Sequence, residues 1–320
     1  MKDSPSPVAG EEYPRTYQQF LSWFAEEKAC RLYLQKCRWP HGFECAQCGR
    51  QGAPWTTARG YLHCQGCGSE ISVTAGTIFE GTRMPLRTWY AAIWFLMSQK
   101  DGASALGLQR VLGFGSYQTA WTWLHKMRRA MVRPDRERLS GRVEVDETYV
   151  GGFQPGDKTG RGGERRTVVV IAAETHAPKG FGRVRMRRVA DASGDSLMPF
   201  VSDVIEKGSE ILTDGWKGYN RLTRLGYKHT PTVSSSSGDP AHVSMPAVHR
   251  VAALLKRWLL GTHQGAVSAK HLDYYLDEYT FRFNRRSARS RGLLFYRLLQ
   301  QAANTAPVSF CQIVEDDHNG

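Results

Sequence analysis

The stretch Val143-Glu-Val-Asp-Glu-Thr-Tyr-Val-Gly-Gly152 decides the fold. β-Branched and aromatic residues alternate with acids, and two glycines end the run. This predicts a strand that carries a carboxylate, Asp146, toward a glycine turn. Working outward, Val143 to Val150, Thr167 to Glu174 and Arg183 to Ala190 read as three strands separated by Gly-rich or Pro-Gly turns. Ser193 starts a helix to about Ile205, and Glu210 to Thr213 is a fourth strand. A helix from Lys217 to Leu225 and a short fifth strand from Tyr227 to Thr230 follow. After a polar loop, Ser234 to Asp239, helices are expected from Met245 to Leu260 and from Ser268 to Asn284. That order predicts a mixed five-stranded sheet covered by helices, an α/β arrangement of the ribonuclease-H-like kind.

Asp146 sits late in the first strand and Asp214 just after the fourth, in Ile211-Leu-Thr-Asp-Gly-Trp216. In the expected sheet these strands are neighbours, so the two carboxylates can meet. Phosphodiester cleavage by divalent ions needs ligands that hold two ions about 3.5–4 Å apart, and carboxylates at strand ends with a ligand from a helix supply this. Other acids compete. Glu144 shares a strand face with Asp146 and either assists the site or is solvated. Glu147 faces the other side and reads as structural. Asp191 and Asp195 follow the third strand, with Asp195 expected in a helix's first turn, where negative charge is favoured. Asp277 and Glu278, in the last helix, are expected to pair with arginines.

A chain of 320 residues with 41% hydrophobic content suits two or three packed domains. The formal net charge of +13 and a pI near 9.5 suit a polyanionic partner, with nucleic acid first among candidates. The N-terminus lacks an apolar signal core, and no run approaches the roughly 20 apolar residues of a membrane span. Seven cysteines include the pairs Cys45-Ala-Gln-Cys48 and Cys64-Gln-Gly-Cys67, fifteen residues apart. That spacing matches a structural tetrahedral zinc site in a reducing compartment, which makes the cytoplasm the expected location. Gly49 and Gly68 let each knuckle turn present backbone N–H groups to sulfur. Cys30, Cys37 and Cys311 are not expected to be ligands.

Residues 1–15 read as a disordered lead, and 16–75 as a helix (16–36, with Phe20, Leu21, Phe24, Leu32 and Leu34 as its apolar face) followed by the zinc ribbon. Residues 76–140 are expected to be helical. One helix runs from Leu86 to Ser98 and a second from Ser104 to Leu112. After the turn Gly113-Phe-Gly115, Ser116 caps a third. This is either helix-turn-helix geometry, with Gln118, Thr119, Thr122 and Lys126 facing a DNA groove, or an ordinary three-helix bundle. The basic run from His125 to Arg142 suits phosphate. The sheet domain is expected over 141–300 and a tail over 301–320. Loop 151–163 with Arg165 and Arg166 either approaches DNA or is a floppy hairpin. Arg285 and Arg286 belong to a basic end suited to backbone contact.

The motifs Asp146-Glu-Thr-Tyr-Val-Gly-Gly152, Thr213-Asp-Gly-Trp-Lys-Gly-Tyr219, Leu255-Lys-Arg-Trp-Leu-Leu-Gly261 and Tyr275 to Arg286 stand in an order that resembles bacterial DDE-type insertion-sequence transposases with an N-terminal zinc ribbon. The resemblance spans roughly residues 16–300. It implies an enzyme that binds the element's terminal repeats, cleaves double-stranded DNA to expose 3′-OH ends, and joins them to target DNA. It also implies two catalytic Mg²⁺ or Mn²⁺ ions and a homodimer or larger assembly on DNA. The family pattern places a Glu seven residues before a basic residue; here His249 stands seven before Lys256. Seven residues turn a helix by about 700°, so both side chains lie on one face, within about 20°. The expected ligand set is therefore Asp146, Asp214 and His249, an Asp-Asp-His variant, with Lys256 on DNA phosphate. A neutral imidazole suits Mn²⁺ better than Mg²⁺. The competing readings are His249 as a capping or DNA-contact residue, a non-catalytic DNA-binding regulator derived from a decayed transposase, and a zinc-ribbon interaction factor that leaves Asp146 and Asp214 unexplained.

Overall fold

The computed structural model describes residues 7–133, 136–151, 167–176, 180–232, 244–265 and 267–315. The chain forms two compact units, one drawn from residues 1–133 and 287–315 and the other from 134–286.

The first unit opens with α1 (Tyr17–Trp23) and α2 (Glu27–Arg38). The single helix expected over 16–36 is thus two. Phe24 leaves helical geometry at φ −112°, and Glu26 is extended at ψ 146°. The break re-aims the apolar residues. Phe20, Phe24 and Leu34 are buried, whereas Leu21 and Leu32 are 39% and 54% exposed. Cys30, Leu34 and Cys37 become the buried stripe of α2. Next come β1 (Trp55–Thr56), β2 (Leu62–His63) and β3 (Glu70–Ile71), an antiparallel sheet in that order. Three helices follow: α3 (Leu86–Ser98), α4 (Ala105–Leu112) and α5 (Tyr117–Arg129). Their signals are used as read. Ser104 accepts the Gly107 N–H at 3.0 Å, Gly113 closes α4 at φ 66°, and Ser116 accepts the Gln118 N–H at 3.1 Å. Trp89 of α3 stacks on Trp123 of α5 at 3.5 Å.

The second unit is built on β4 (Arg142–Val150), β5 (Thr167–Thr175), β6 (Phe181–Val189), β7 (Glu210–Thr213) and β8 (Lys228–Pro231). Sheet order is β6-β5-β4-β7-β8. The first three strands are antiparallel, and β7 and β8 run parallel to β4. This is the ribonuclease-H-like mixed sheet. One face, with Val143, Val145, Val170, Ala172 and Ile211, packs on α6 (Gly194–Val204). The other, with Val169, Ile171, Ala173 and Leu212, is covered by α7 (Pro246–His263) and α8 (Leu272–Asn284). The helix expected at Lys217–Leu225 is instead two short 3-10 turns, Lys217–Tyr219 and Thr223–Leu225. Gly218 explains part of this: a Cβ there would lie 2.8 Å from the Ala192 carbonyl oxygen, so the backbone is pressed against its neighbour. All four β6 arginines are engaged within the unit. Arg183 pairs with Glu174 (2.7 Å), Arg185 donates to the Glu137 carbonyl (2.7 Å), Arg187 pairs with Asp203 (2.9 Å) and Arg188 with Asp273 (3.1 Å).

In α8, Tyr274, Tyr275, Tyr279, Phe281 and Phe283 are core, and Glu278 pairs with Arg282 at 2.8 Å, as the sequence predicts. Burial pushes the Asp277 carboxyl up to about 7; Arg136 draws it back and Asp273 adds to the rise. The folded pKa exceeds the unfolded one, so the folded state holds the proton more tightly. Stability from this group is therefore present at low pH and lost as pH rises between about 4 and 7. Melting curves of wild type and Asp277→Asn are expected to diverge as pH goes from 5 to 8, with the variant the more stable at pH 8. A constant difference across that range would contradict this assignment.

After Arg286 the chain returns to the first unit as α9 (Arg291–Ala302) and α10 (Phe310–Glu315). The sheet domain was expected to reach residue 300, but α9 packs on α3 and α2. Phe295 meets Phe20, Tyr90 and Trp94 at ring separations of 5.4–5.7 Å. The apolar face of α9 is what draws it there.

Candidate functional site

In the zinc ribbon, the ligand atoms of Cys45, Cys48, Cys64 and Cys67 all lie within 4.8 Å of one another. The Cys45–Cys67 and Cys48–Cys64 sulfur pairs are each 3.7 Å apart. Four sulfurs about 2.3 Å from one tetrahedral ion stand about 3.8 Å from each other, so the four side chains fit zinc as they are. Gly49 and Gly68 adopt φ 70° and 75° and close the two knuckles, each donating to the carbonyl of the first cysteine in its pair (2.8 and 2.9 Å). Backbone N–H groups of the knuckles reach the sulfurs as expected: Gly66 lies 3.3 Å from Cys64 Sγ, and those of Gln47 and Cys48 serve Cys45, that of Arg50 serves Cys48 and that of Ser69 serves Cys67. The Ser69 hydroxyl lies 3.1 Å from Cys67 Sγ and 3.5 Å from Cys45 Sγ, an outer partner the spacing did not signal. Cys30 and Cys37 are buried away from it, and burial pushes both thiols up to about 12.

The second cluster is carried by β4 and the end of β7: Asp146 is the fifth of the nine residues of β4, mid-strand rather than late in it as the sequence suggests, because the strand continues to Val150, and Asp214 directly follows β7. Arg142 pairs with Glu210 and Glu144 with Leu212, where the pairing of these parallel strands ends; Asp146 and Asp214 each lie two residues beyond it, and the charges of both reach Tyr219. Asp146 Oδ1 accepts the Glu147 N–H at 2.9 Å, and its Oδ2 lies 3.9 Å from His249 Nε2 on α7. Asp214 Oδ1 accepts the Trp216 N–H at 2.9 Å, which fixes its carboxylate over the turn. A cleft of about 190 Å³ opens here, lined by Asp146, Glu147, Thr148, Ile171, Val248, His249 and Ala252. On the opposite sheet face, buried Tyr219 donates to Glu147 Oε2 at 3.0 Å. Burial raises the Tyr219 hydroxyl well above its ordinary value, and the charges of Glu147, Asp146 and Asp214 add to the rise. Glu147 thus faces away from Asp146, as the alternation predicts.

Two donors each about 2.1 Å from one ion lie about 3.0–4.2 Å apart, depending on the angle, and the Asp146–His249 separation falls in that range. Among the described residues, only the four cysteines bring three or more such ligand atoms mutually within 4.8 Å. Asp146, Asp214 and His249 are spread more widely.

Glu144 is the residue whose place sequence reasoning left open. It is 4% exposed, and its Oε2 accepts the N–H groups of Ala247 (2.8 Å) and Val248 (2.9 Å). Burial raises its carboxyl while those two donors lower it. The signal was a Glu at an inward position of a central strand.

Of the DNA-contact candidates, Gln118 is exposed and Thr119, Thr122 and Lys126 are half-buried on α5. Thr122 Oγ1 donates back to the Gln118 carbonyl at 2.7 Å. Lys256 is exposed on α7, two turns from His249. Arg285 lies 3.9 Å over the Phe281 ring, and Arg286 lies 4.4 Å over Phe283 while donating to the Gly182 (3.2 Å) and Phe181 carbonyls. The Arg286 guanidinium ties α8 to the start of β6, whereas that of Arg285 turns back on its own helix and donates to the Phe281 carbonyl at 3.3 Å. Arg165, Arg166 and the rest of the loop after Gly151 lie outside the described residues.

Residues 138–284 match the model of the ISXO2-like transposase domain, and residues 25–70 match that of the transposase zinc-ribbon domain. The chain belongs to the DDE-type transposases with an N-terminal zinc ribbon. It is 24% identical over 280 residues to the uncharacterized protein in transposable element ISH50 of Halobacterium salinarum, covering 82% of this chain and 92% of that one. A solved structure, the Mos1 transposase paired-end complex with left transposon end, is 14% identical with a TM-score of 0.30, covering 72% of this chain and 79% of that one. Both family matches keep the order read from the sequence, ribbon first and sheet domain after. Among the described residues, no helix is long and apolar enough to cross a membrane.

Proposed function

We propose that this transposase-family chain is a catalytically competent enzyme that binds the terminal repeats of its element, cleaves DNA there and transfers the freed 3′-OH ends to target DNA. The observation that supports this reading is that Asp146 on β4 and Asp214 just after β7 come from adjacent parallel strands, with His249 Nε2 3.9 Å from Asp146 Oδ2. Asp146, Asp214 and His249 would hold a pair of divalent ions, Mg²⁺ or Mn²⁺. When bound, the ions supply charge neutralisation and Lewis acidity at the scissile phosphodiester. The chain's own part is positioning. β4 and α7 hold their ligands on one cleft, Lys256 on the same helix face meets a DNA phosphate, and the zinc ribbon and α5 hold the repeat sequence. A net charge of +13 supports the same partner. Joining two ends calls for a homodimer or larger assembly on DNA.

The test is nicking and strand transfer on DNA carrying the element's flanking repeats, in Mg²⁺ and Mn²⁺ side by side. Wild type is expected to cut and join, with Mn²⁺ the better ion. Asp146→Asn is expected to lose about 10³-fold or more, as when a principal group stabilising transition-state charge is removed, and His249→Ala to fall with it. Loss in Asp146→Asn alone would demote His249 to an accessory. Sequence-specific binding without cleavage in either ion would replace this reading with that of a DNA-binding regulator.

A further inference from the structure

We propose that Glu144 is a positioning residue of the site: from the floor of β4 it grips the first turn of α7 and thereby sets His249 beside Asp146. This rests on the reading above that Asp146, Asp214 and His249 hold divalent ions.

The argument begins with the unsatisfied start of α7. A helix begins with N–H groups that have no partner within the helix. The N-cap of α7 is Met245, which offers no side-chain acceptor, and Pro246 is its first residue. The next two donors, Ala247 and Val248, both go to Glu144 Oε2, at 2.8 and 2.9 Å. The clamp thus comes from a strand 103 residues away rather than from the helix's own cap. The following residue is His249, whose own N–H reaches the Met245 carbonyl at only 3.5 Å. That is the first internal bond of the helix, so the turn leading into the candidate ligand is held by the Glu144 grip rather than by the helix itself.

Strand geometry supplies the other half. Glu144 and Asp146 are two residues apart on β4 and point to the same face. One strand segment therefore carries a ligand in Asp146 and the clamp that locates a second ligand in His249. Any shift of the α7 start along β4 changes the 3.9 Å separation directly. A buried carboxylate that neither met donors nor set a geometry would only cost stability. The residue occupies an inward position that the neighbouring strands fill with Ala173 and Leu212.

Two conservative variants separate reach from charge. Glu144→Gln keeps the length and a carbonyl oxygen able to accept both N–H groups, but loses the charge. Glu144→Asp keeps the charge but is one methylene too short to reach them. Mn²⁺ binding to the full-length, zinc-loaded protein would be followed by electron paramagnetic resonance titration, with thermal melts to verify folding. The expected result is Glu144→Gln within about threefold of wild type and Glu144→Asp weaker by about 10- to 100-fold, the range seen when outer-shell support of a metal ligand is removed. Glu144→Asp binding like wild type, or Glu144→Gln as weak as Glu144→Asp, overturns the proposal. Asp146→Asn and Asp214→Asn run beside them: if neither changes Mn²⁺ binding, the site reading itself is at fault, a failure distinguishable from that of the clamp.

Discussion

Gly292→Ala is expected to destabilise the first unit by at least about 3 kcal/mol, the upper range for forcing extra volume into a packed interior. Gly292 lies in the first turn of α9, where a Cβ would stand 1.7 Å from the Pro14 carbonyl oxygen and 3.0 Å from Tyr13 Cδ2. The obstacle is backbone, so no rotamer change relieves it; either α9 or the segment before α1 must move. Movement has wide consequences because Phe295, one turn on, sits among Phe20, Phe24, Tyr90 and Trp94. Differential scanning calorimetry of the full-length protein is the check. The transition of the first unit should fall by several degrees or vanish, while that of the sheet unit stays. An unchanged thermogram would mean that α9 does not close on Pro14.

That contact also marks where sequence reading stops. Local pattern carries β4 well as a strand, and the element order puts β7 beside it, but the alternation says nothing of where the strand stops: it runs to Val150, leaving Asp146 mid-strand rather than late in it. Caps are local too, so Ser104, Gly113 and Ser116 behaved as read. The failures need partners far along the chain. Nothing near Gly292 announces Pro14, so a helix belonging with α3 was assigned to the sheet domain. Nothing near Glu144 announces Ala247 and Val248. Arg286 reads as an open cation because two of its acceptors, the Phe181 and Gly182 carbonyls, lie about a hundred residues upstream. The break between α1 and α2 is a tertiary override of another sort: an amphipathic pattern continuous enough for one helix yields to the burial of Phe24.

Removing zinc is expected to have the larger structural effect on the smaller piece of chain. The ribbon between Cys45 and Ile71 has little core of its own: Phe43, Cys45, Leu62 and Cys64 are its buried cluster, with Trp39 and Ile71 partly buried against it. Its strands are two residues each. Such a segment cannot offset its conformational entropy by burial alone. Metal binding to four thiolates contributes about 10–16 kcal/mol in comparable small zinc modules, and that free energy is folding free energy. A strong chelator, or Cys64→Ser, is therefore expected to unfold residues 45–71. The readout is amide hydrogen exchange, in which peptides spanning β1 to β3 should lose protection on chelation and regain it when zinc is restored. Peptides from β4 and β5 should be unmoved, since their strands belong to a separate unit with its own core. Full protection of the ribbon after verified metal removal would overturn the structural role. If the ribbon holds the repeat sequence, chelation should also weaken repeat binding.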